Sequence, residues 1–358
     1  VESALASLVL ETALWGAASP YDLKWLTSPP RGAVEQASEL SRLLSLIDEN
    51  GAITEEGRAV AALGLHPRLG RMVQSAKKAG WLETAAATAA IIEEGNSSGG
   101  NDTDFRDRLS ALASWIDEKN GFMPDGSARR IYNEAQRIIR MSSTGDRNLS
   151  GKDINPELAG KLLILAFPER SAQKTDMIEG QSRWVLSTGR AARLNGPLAR
   201  EDFLAVAELD GGETDARIFL AAPISRDDLL NGLAGEPITS YSVEWDGWKP
   251  TTKAFLHLGR LILKEIPAIQ LNKNEAITIA INRIHNEGLN CLPWNRSTLN
   301  FVSRCRFIQN FGGQKNWPDF SPLALNNELE TWLIPHGDYS GGPIFKENSI
   351  NTAIEHRL

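Results

Sequence analysis

The residues of this 358-residue chain best suited to chemistry are arginines crowded on one short stretch. Ser127 to Met141 has an apolar period of 3.6 residues, which predicts a helix. At 100° per residue, Arg129, Arg140, Arg137 and Arg130 fall at about 0°, 20°, 80° and 100°. Ala128, Ile131, Tyr132, Ala135, Ile138 and Ile139 fill the arc from about 180° to 300°. One face therefore buries, and the adjacent face carries four guanidiniums. Like charges so close on a helix cost a few tenths of a kcal/mol each, about what a favourable pair contributes. A self-repelling stripe invites an anionic partner. The plainer reading is an Arg-rich solvated face, neutralised by carboxylates from elsewhere in the fold.

Lys174, Arg183, Arg190 and Arg193 extend the positive region. Residues 126–200 hold 13 Lys/Arg against 7 Asp/Glu, whereas the rest of the chain holds 25 against 38. The net charge of −7 hides a basic middle between acidic ends. That asymmetry is expected of a surface that faces a polyanion, and chance clustering is the alternative. Phosphate neutralisation would give sequence-independent, salt-dependent binding. Trp184 sits in a strand-like segment, where core packing outweighs base stacking as a reading.

Other chemistries lack their residues. There is no G-x-x-x-x-G-K-[ST] phosphate loop, since Gly151-Lys152 is followed by Asp153. G-x-G-x-x-G, H-E-x-x-H and G-x-S-x-G are also missing. His66, His257, His285, His336 and His356 stand in no local constellation. Cys291 and Cys305 are the only cysteines, so neither a disulfide scaffold nor a closed zinc site is expected. Cys305 between Arg304 and Arg306 could have a lowered pKa, but a buried inert thiol suits its amphipathic helix better. No catalytic or metal-binding residue is assigned.

The elements that must position the cations form a multidomain α+β chain. Residues 1–65 read as helices with a turn at Asp48-Glu49-Asn50-Gly51. Leu5, Leu8, Val9 and Leu14 share one face; Val34, Ala37, Leu40, Leu43, Leu44 and Ile47 share another. Ala52-Ile53 is expected as a short strand and Thr54 as a cap. Residues 66–141 are helical, interrupted at Gly95–Asp104 and Gly121–Gly126. Ser142–Asn155 reads as a polar linker. Short strands follow at 183–187, 191–194, 203–209 and 216–222, which suggests an OB-like β-barrel. Strand-like segments continue at 238–245 and 253–264. Helices return at 276–288, 297–311 and 321–334, and residues 337–358 remain unassigned. No apolar run approaches the roughly 20 residues of a membrane span. No signal peptide opens the chain, so a reducing, cytoplasmic setting is expected. The start at Val1, inside a helical pattern, reads as that of a fragment.

The segment from Leu43 to Thr54 (LLSLIDENGAIT), with Gly57-Arg58 and Leu63 to Met72 (LGLHPRLGRM), resembles a motif of the DEAH-box RNA helicases. Leu46 stands where that family usually has Gly. Trp184–Leu194, Asp215–Pro223, Val243-Glu244-Trp245, Leu292-Pro293-Trp294, Trp317-Pro318-Asp319 and Trp332–Pro335 resemble one bacterial branch of the family. The resemblance implies a winged-helix-like module (1–65), a helical ratchet domain (66–150), an OB-like barrel (151–235) and a C-terminal extension peculiar to that branch (236–358). It implies that ATP and Mg belong to RecA-like domains upstream of Val1, so no cofactor is expected in this chain. The implied partners are those RecA-like domains and single-stranded RNA or DNA, with no membrane. Arg129, Arg130, Arg137 and Arg140 would then lie in the ratchet segment. Lys174, Arg183, Arg190 and Arg193 would lie in the barrel. Arg68 and Arg71 read as packing or interdomain contacts. The rival reading is a protein-interaction scaffold that uses Trp294, Trp317 and Trp332.

Overall fold

The computed structural model describes residues 2–95, 103–118, 125–143, 148–178, 181–211, 216–246, 248–267, 272–312, 317–340 and 344–358. They divide into two compact units, Val1–Ile238 with His257–Leu263, and Thr239–Leu256 with Lys264–Leu358.

In the first unit, α1 (Glu2–Leu14) buries Ala6, Val9 and Ala13 against Val34 and Ala37 of α2 (Arg31–Leu43). Leu14 and Leu43, expected on these faces, lie exposed. Each is the last residue of its helix, where the chain already turns away. Ser45 makes the second turn with φ of +58°, so α2 stops short of Ile47. Ile47 instead pairs with Ile53 in an antiparallel bridge. Thr54 caps α3 (Glu55–Ala61), its hydroxyl accepting from the Gly57 N–H at 2.9 Å.

α4 (Pro67–Ala79), α5 (Leu82–Glu94), α6 (Phe105–Glu118), α7 (Asp125–Ser142) and α8 (Ala159–Ala166) share one core. Ala85, Ala86, Ala87, Ala89 and Ala90 leave α5 buried on every side. Small side chains let neighbouring backbones approach closely. Most of the expected loop at Gly95–Asp104 and break at Gly121–Gly126 lies outside the described residues. The expected linker is in part a packed segment. Leu149 and Ile154 are buried, and the Gly151 N–H donates to the Asp117 carboxylate at 2.8 Å.

β1 (Ser171–Ile178), β2 (Gln181–Leu186), β3 (Ala191–Leu194), β4 (Phe203–Leu209) and β5 (Ala216–Pro223) form a closed barrel in the order β1-β2-β3-β5-β4. Alternation sends Trp184, Ala192, Leu194, Ala216 and Ile218 into its core. α8 lies against β4 and β5. A Cβ on Gly160 would stand 1.9 Å from the Pro223 carbonyl oxygen, so this approach requires glycine. Trp184 is 1% exposed, and its indole N–H meets no acceptor among the described residues. Trp184→Phe, which removes that unpaired donor, is expected to cost less than about 2 kcal/mol. Trp184→Ala should cost about 3–5 kcal/mol. Urea unfolding measures both.

α9 (Arg226–Leu230) follows the barrel. β6 (Ile238–Asp246), β7 (Lys249–Leu258) and β8 (Leu261–Ile266) make a three-stranded sheet. The single strand expected over 253–264 is two strands, because Gly259 turns the chain at φ +57°. In the first unit the Arg260 N–H beside it donates to the Ser187 carbonyl at 2.9 Å.

The second unit gathers α10 (Lys273–Glu287), α11 (Arg296–Phe311), α12 (Pro322–Asn327), α13 (Leu329–Trp332) and α14 (Glu347–Glu355). The unassigned tail thus contributes a helix, with Ile350, Ala353 and Ile354 in the core. The expected helix over 321–334 is broken into α12, α13 and a short 3-10 turn at Ile334–His336.

Candidate nucleic-acid interface

The barrel sets arginines side by side. Arg183 of β2 stands directly opposite Arg193 of β3. Arg193 in turn neighbours Arg217 of β5. All three point outward, and adjacent strands lie about 4.8 Å apart. Like charges on adjacent strands destabilise a sheet, so the Arg193–Arg217 neighbours carry an electrostatic cost that an anion would relieve. Phe219, two residues beyond Arg217 on the same face, is 40% exposed. The Arg217 guanidinium lies 5.4 Å from its ring centroid. A recess of about 210 Å³ adjoins the row, lined by Thr103, Arg193, Asn195, Arg217 and Ile218. Arg193 and Arg217 form no ion pair with a described residue.

The other cations expected from the sequence differ in their freedom. Lys174 donates to the Ala199 carbonyl at 2.7 Å. Arg190 donates to the Asp210 carbonyl at 3.0 Å. On α7, Arg129 and Arg140 are exposed, and Arg140 donates to the Gln136 carbonyl at 3.3 Å. Arg130 pairs with Glu94. Arg137 is gripped by Glu134 and donates to the Leu63 carbonyl at 3.1 Å. The hydrogen bonds to these carboxylates raise both guanidinium pKa values above their ordinary range. The stripe therefore holds two guanidiniums, Arg129 and Arg140, that form no ion pair with a described residue, and two, Arg130 and Arg137, that are paired with carboxylates. Arg137→Ala should lower stability by about 1–2 kcal/mol and leave nucleic-acid affinity within about twofold, since its charge is already neutralised. Thermal unfolding and a binding titration separate the two effects.

Arg217 and Phe219 join the site only in the folded chain. They lie beyond the basic window at 126–200, and the parallel pairing of β3 with β5 is not a local feature. The signal that could have found them is the alternation Ala216-Arg217-Ile218-Phe219-Leu220, with a cation and an aromatic on the polar face.

Arg68 and Arg71 pack within the first unit. Arg68 pairs with Glu169 at 2.8 Å and lies over the Phe167 ring. Arg71 donates to the Leu44 carbonyl at 3.1 Å. Arg68, Phe167 and Arg170 line a cleft of about 880 Å³ that also holds His66 and Glu93. Burial, then the nearby Glu134, pushes the Glu93 carboxyl above its usual value.

Cys305 lies in the second core and Cys291 packs against it. Burial pushes the Cys305 thiol up, outweighing Arg304, so the lowering its neighbours suggested does not occur. Burial also raises Cys291. A raised pKa leaves less thiolate, so both thiols should react with a disulfide reagent at pH 8 more slowly than in the denatured chain. Trp332, Trp294 and Trp317 donate their indole N–H groups to Leu325, Leu289 and Cys305 carbonyls at 2.7, 2.6 and 3.1 Å. Trp332 is buried in the second core, and Trp294 and Trp317, half-buried, pack against it. Among the described residues no three His, Cys, Asp or Glu side chains group as metal ligands. None of the helices described is long and apolar enough to cross a membrane.

No protein-family model matches the chain. It is 29% identical over 343 residues to the ATP-dependent RNA helicase HrpB of Escherichia coli, covering 94% of this chain and 39% of that protein. A crystal structure of the E. coli DExH-box NTPase HrpB matches with a TM-score of 0.62 and 26% identity over 99% of this chain and 42% of its own. A second, of the E. coli DEAH/RHA helicase HrpB, matches with a TM-score of 0.60 and 24% identity over the same shares. The chain spans about two-fifths of the length of these relatives. The helicase motif at Leu43–Met72 and the branch motifs downstream thus lie in one continuous likeness, and the chain is similar along nearly its whole length to the C-terminal accessory region of HrpB.

Proposed function

We propose that this chain is the accessory part of an ATP-dependent RNA helicase and forms one wall of its single-strand channel. The observation that carries this reading is the row Arg183, Arg193 and Arg217 across three barrel strands, with Phe219 beside it. The helicase likeness supplies the class of ligand. An OB-type barrel that presents its strand 2–3 face is a recurrent oligonucleotide platform. Guanidiniums hold phosphates and an exposed ring stacks a base, neither of which depends on sequence. That suits an enzyme that must slide. α1 to α3 take the winged-helix-like role and α4 to α7 the ratchet role, with exposed Arg129 and Arg140 adding phosphate contacts. ATP and Mg are assigned to RecA-like partner domains, and no chemical step is assigned to residues here.

The test is a titration of labelled single-stranded RNA and DNA with the full chain at two salt concentrations, read by fluorescence anisotropy. Micromolar binding that weakens steeply with salt is expected. Absence of binding at low salt would contradict the reading.

A further inference from the structure

α11 carries three arginines and no acid. The second unit as a whole holds 11 Lys/Arg and 11 Asp/Glu, so this helix concentrates positive charge on an otherwise neutral body. Its inner side is Thr298, Val302 and Cys305. On the outer side Phe307 and Phe311 are 64% and 76% exposed. Their ring centroids lie 4.9 Å apart. Arg296, Arg304 and Arg306 are exposed and form no ion pair with a described residue. At 100° per residue, Arg296, both rings and Arg304 fall within about 80° of arc. The acid that hydrogen-bonds to this helix, Asp319, engages Gln309 at 3.0 Å, about 140° or more from that arc.

Leaving two phenyl rings in water is unfavourable and marks a binding surface. The occupant is set by what surrounds the rings. A protein groove would favour a long apolar ridge, but the exposed Phe307, Ile308 and Phe311 form one short cluster at the end of the helix, with Asn300 and Ser303 between it and Leu299. A single nucleic-acid strand offers phosphates and flat bases side by side, which matches two guanidiniums, Arg296 and Arg304, on the same face as two rings. We infer that the outer face of α11 is a second single-strand platform, with Phe307 and Phe311 stacking bases and Arg296 and Arg304 holding phosphates. The inference rests on the nucleic-acid reading above and places a contact on the second unit.

The test uses the full chain with single-stranded oligouridylate carrying 4-thiouridine, and its DNA counterpart carrying 4-thiothymidine. Photocrosslinked peptides are mapped by mass spectrometry. Crosslinks are expected in the tryptic peptide that begins at Phe307, and should persist in an Arg193→Glu/Arg217→Glu variant. Phe307→Leu/Phe311→Leu keeps the apolar bulk but removes the flat faces, and should bind about tenfold more weakly. Circular dichroism checks that this surface variant folds. Crosslinks confined to the barrel would overturn the inference and leave the helicase reading intact. Unchanged affinity in the Leu variant would indicate an apolar protein-docking face and overturn it too. No crosslink anywhere would overturn both.

Discussion

Reversing two charges in the barrel row, Arg193→Glu with Arg217→Glu, is expected to weaken single-strand binding by about 100-fold at low salt. Both side chains point outward, and neither closes an ion pair with a described residue. The fold should therefore survive the change. The two introduced carboxylates remain a like-charged pair on adjacent strands, so that repulsion should stay about as it was. The slope of log affinity against log salt should shrink by about one to two units as two phosphate contacts disappear. The matched control is Arg130→Glu/Arg137→Glu on α7. Those guanidiniums are paired with Glu94 and Glu134, so that variant should lose stability more than affinity. Anisotropy at several salt concentrations measures the slopes directly.

The largest stability effect is expected at Gly160. An added methyl would meet the Pro223 carbonyl oxygen at 1.9 Å. That atom belongs to backbone, so relief requires α8 to move off β5. Leu162 and Leu163, which α8 contributes to the helical core, are fully buried, and such a shift would disturb their packing. Gly160→Ala should cost about 3 kcal/mol or more, and Gly160→Val should prevent the first unit from folding. Gly80 is the control. It has φ of +78°, but a methyl there would meet no atom within 4 Å, so Gly80→Ala should cost only about 1–2 kcal/mol of backbone strain. Urea unfolding followed by circular dichroism separates the two. Equal losses would show that α8 is not pressed onto the barrel.

The parts of the fold legible in sequence are those governed by local rules. Thr54 can be named as a cap because a hydroxyl before a helix satisfies an orphan N–H. The barrel strands can be named because inward Ala192 and Leu194 alternate with outward Arg193. Illegible parts depend on distant pairing. Nothing near Gly259 announces that a Cβ there would meet the Ser187 carbonyl oxygen at 2.2 Å. The polar run at 148–155 hides two apolar anchors, Leu149 and Ile154, whose partners lie elsewhere in the chain. The cation stripe on α7 is legible as geometry, but not the state of its charges. Glu94, which neutralises Arg130, sits on another helix, although Glu134, three residues before Arg137, is within local reach. Arg217 joins the site only through the β3–β5 pairing.

If the barrel row holds the strand, its arginines must be covered when the strand is bound. Arginine modification by phenylglyoxal, with and without bound single-stranded RNA and read by mass spectrometry, tests this most directly. RNA is expected to protect Arg193 and Arg217 while the reactivity of Arg137 stays unchanged. Equal modification of Arg193 and Arg217 in free and saturated protein would contradict the role assigned to the row.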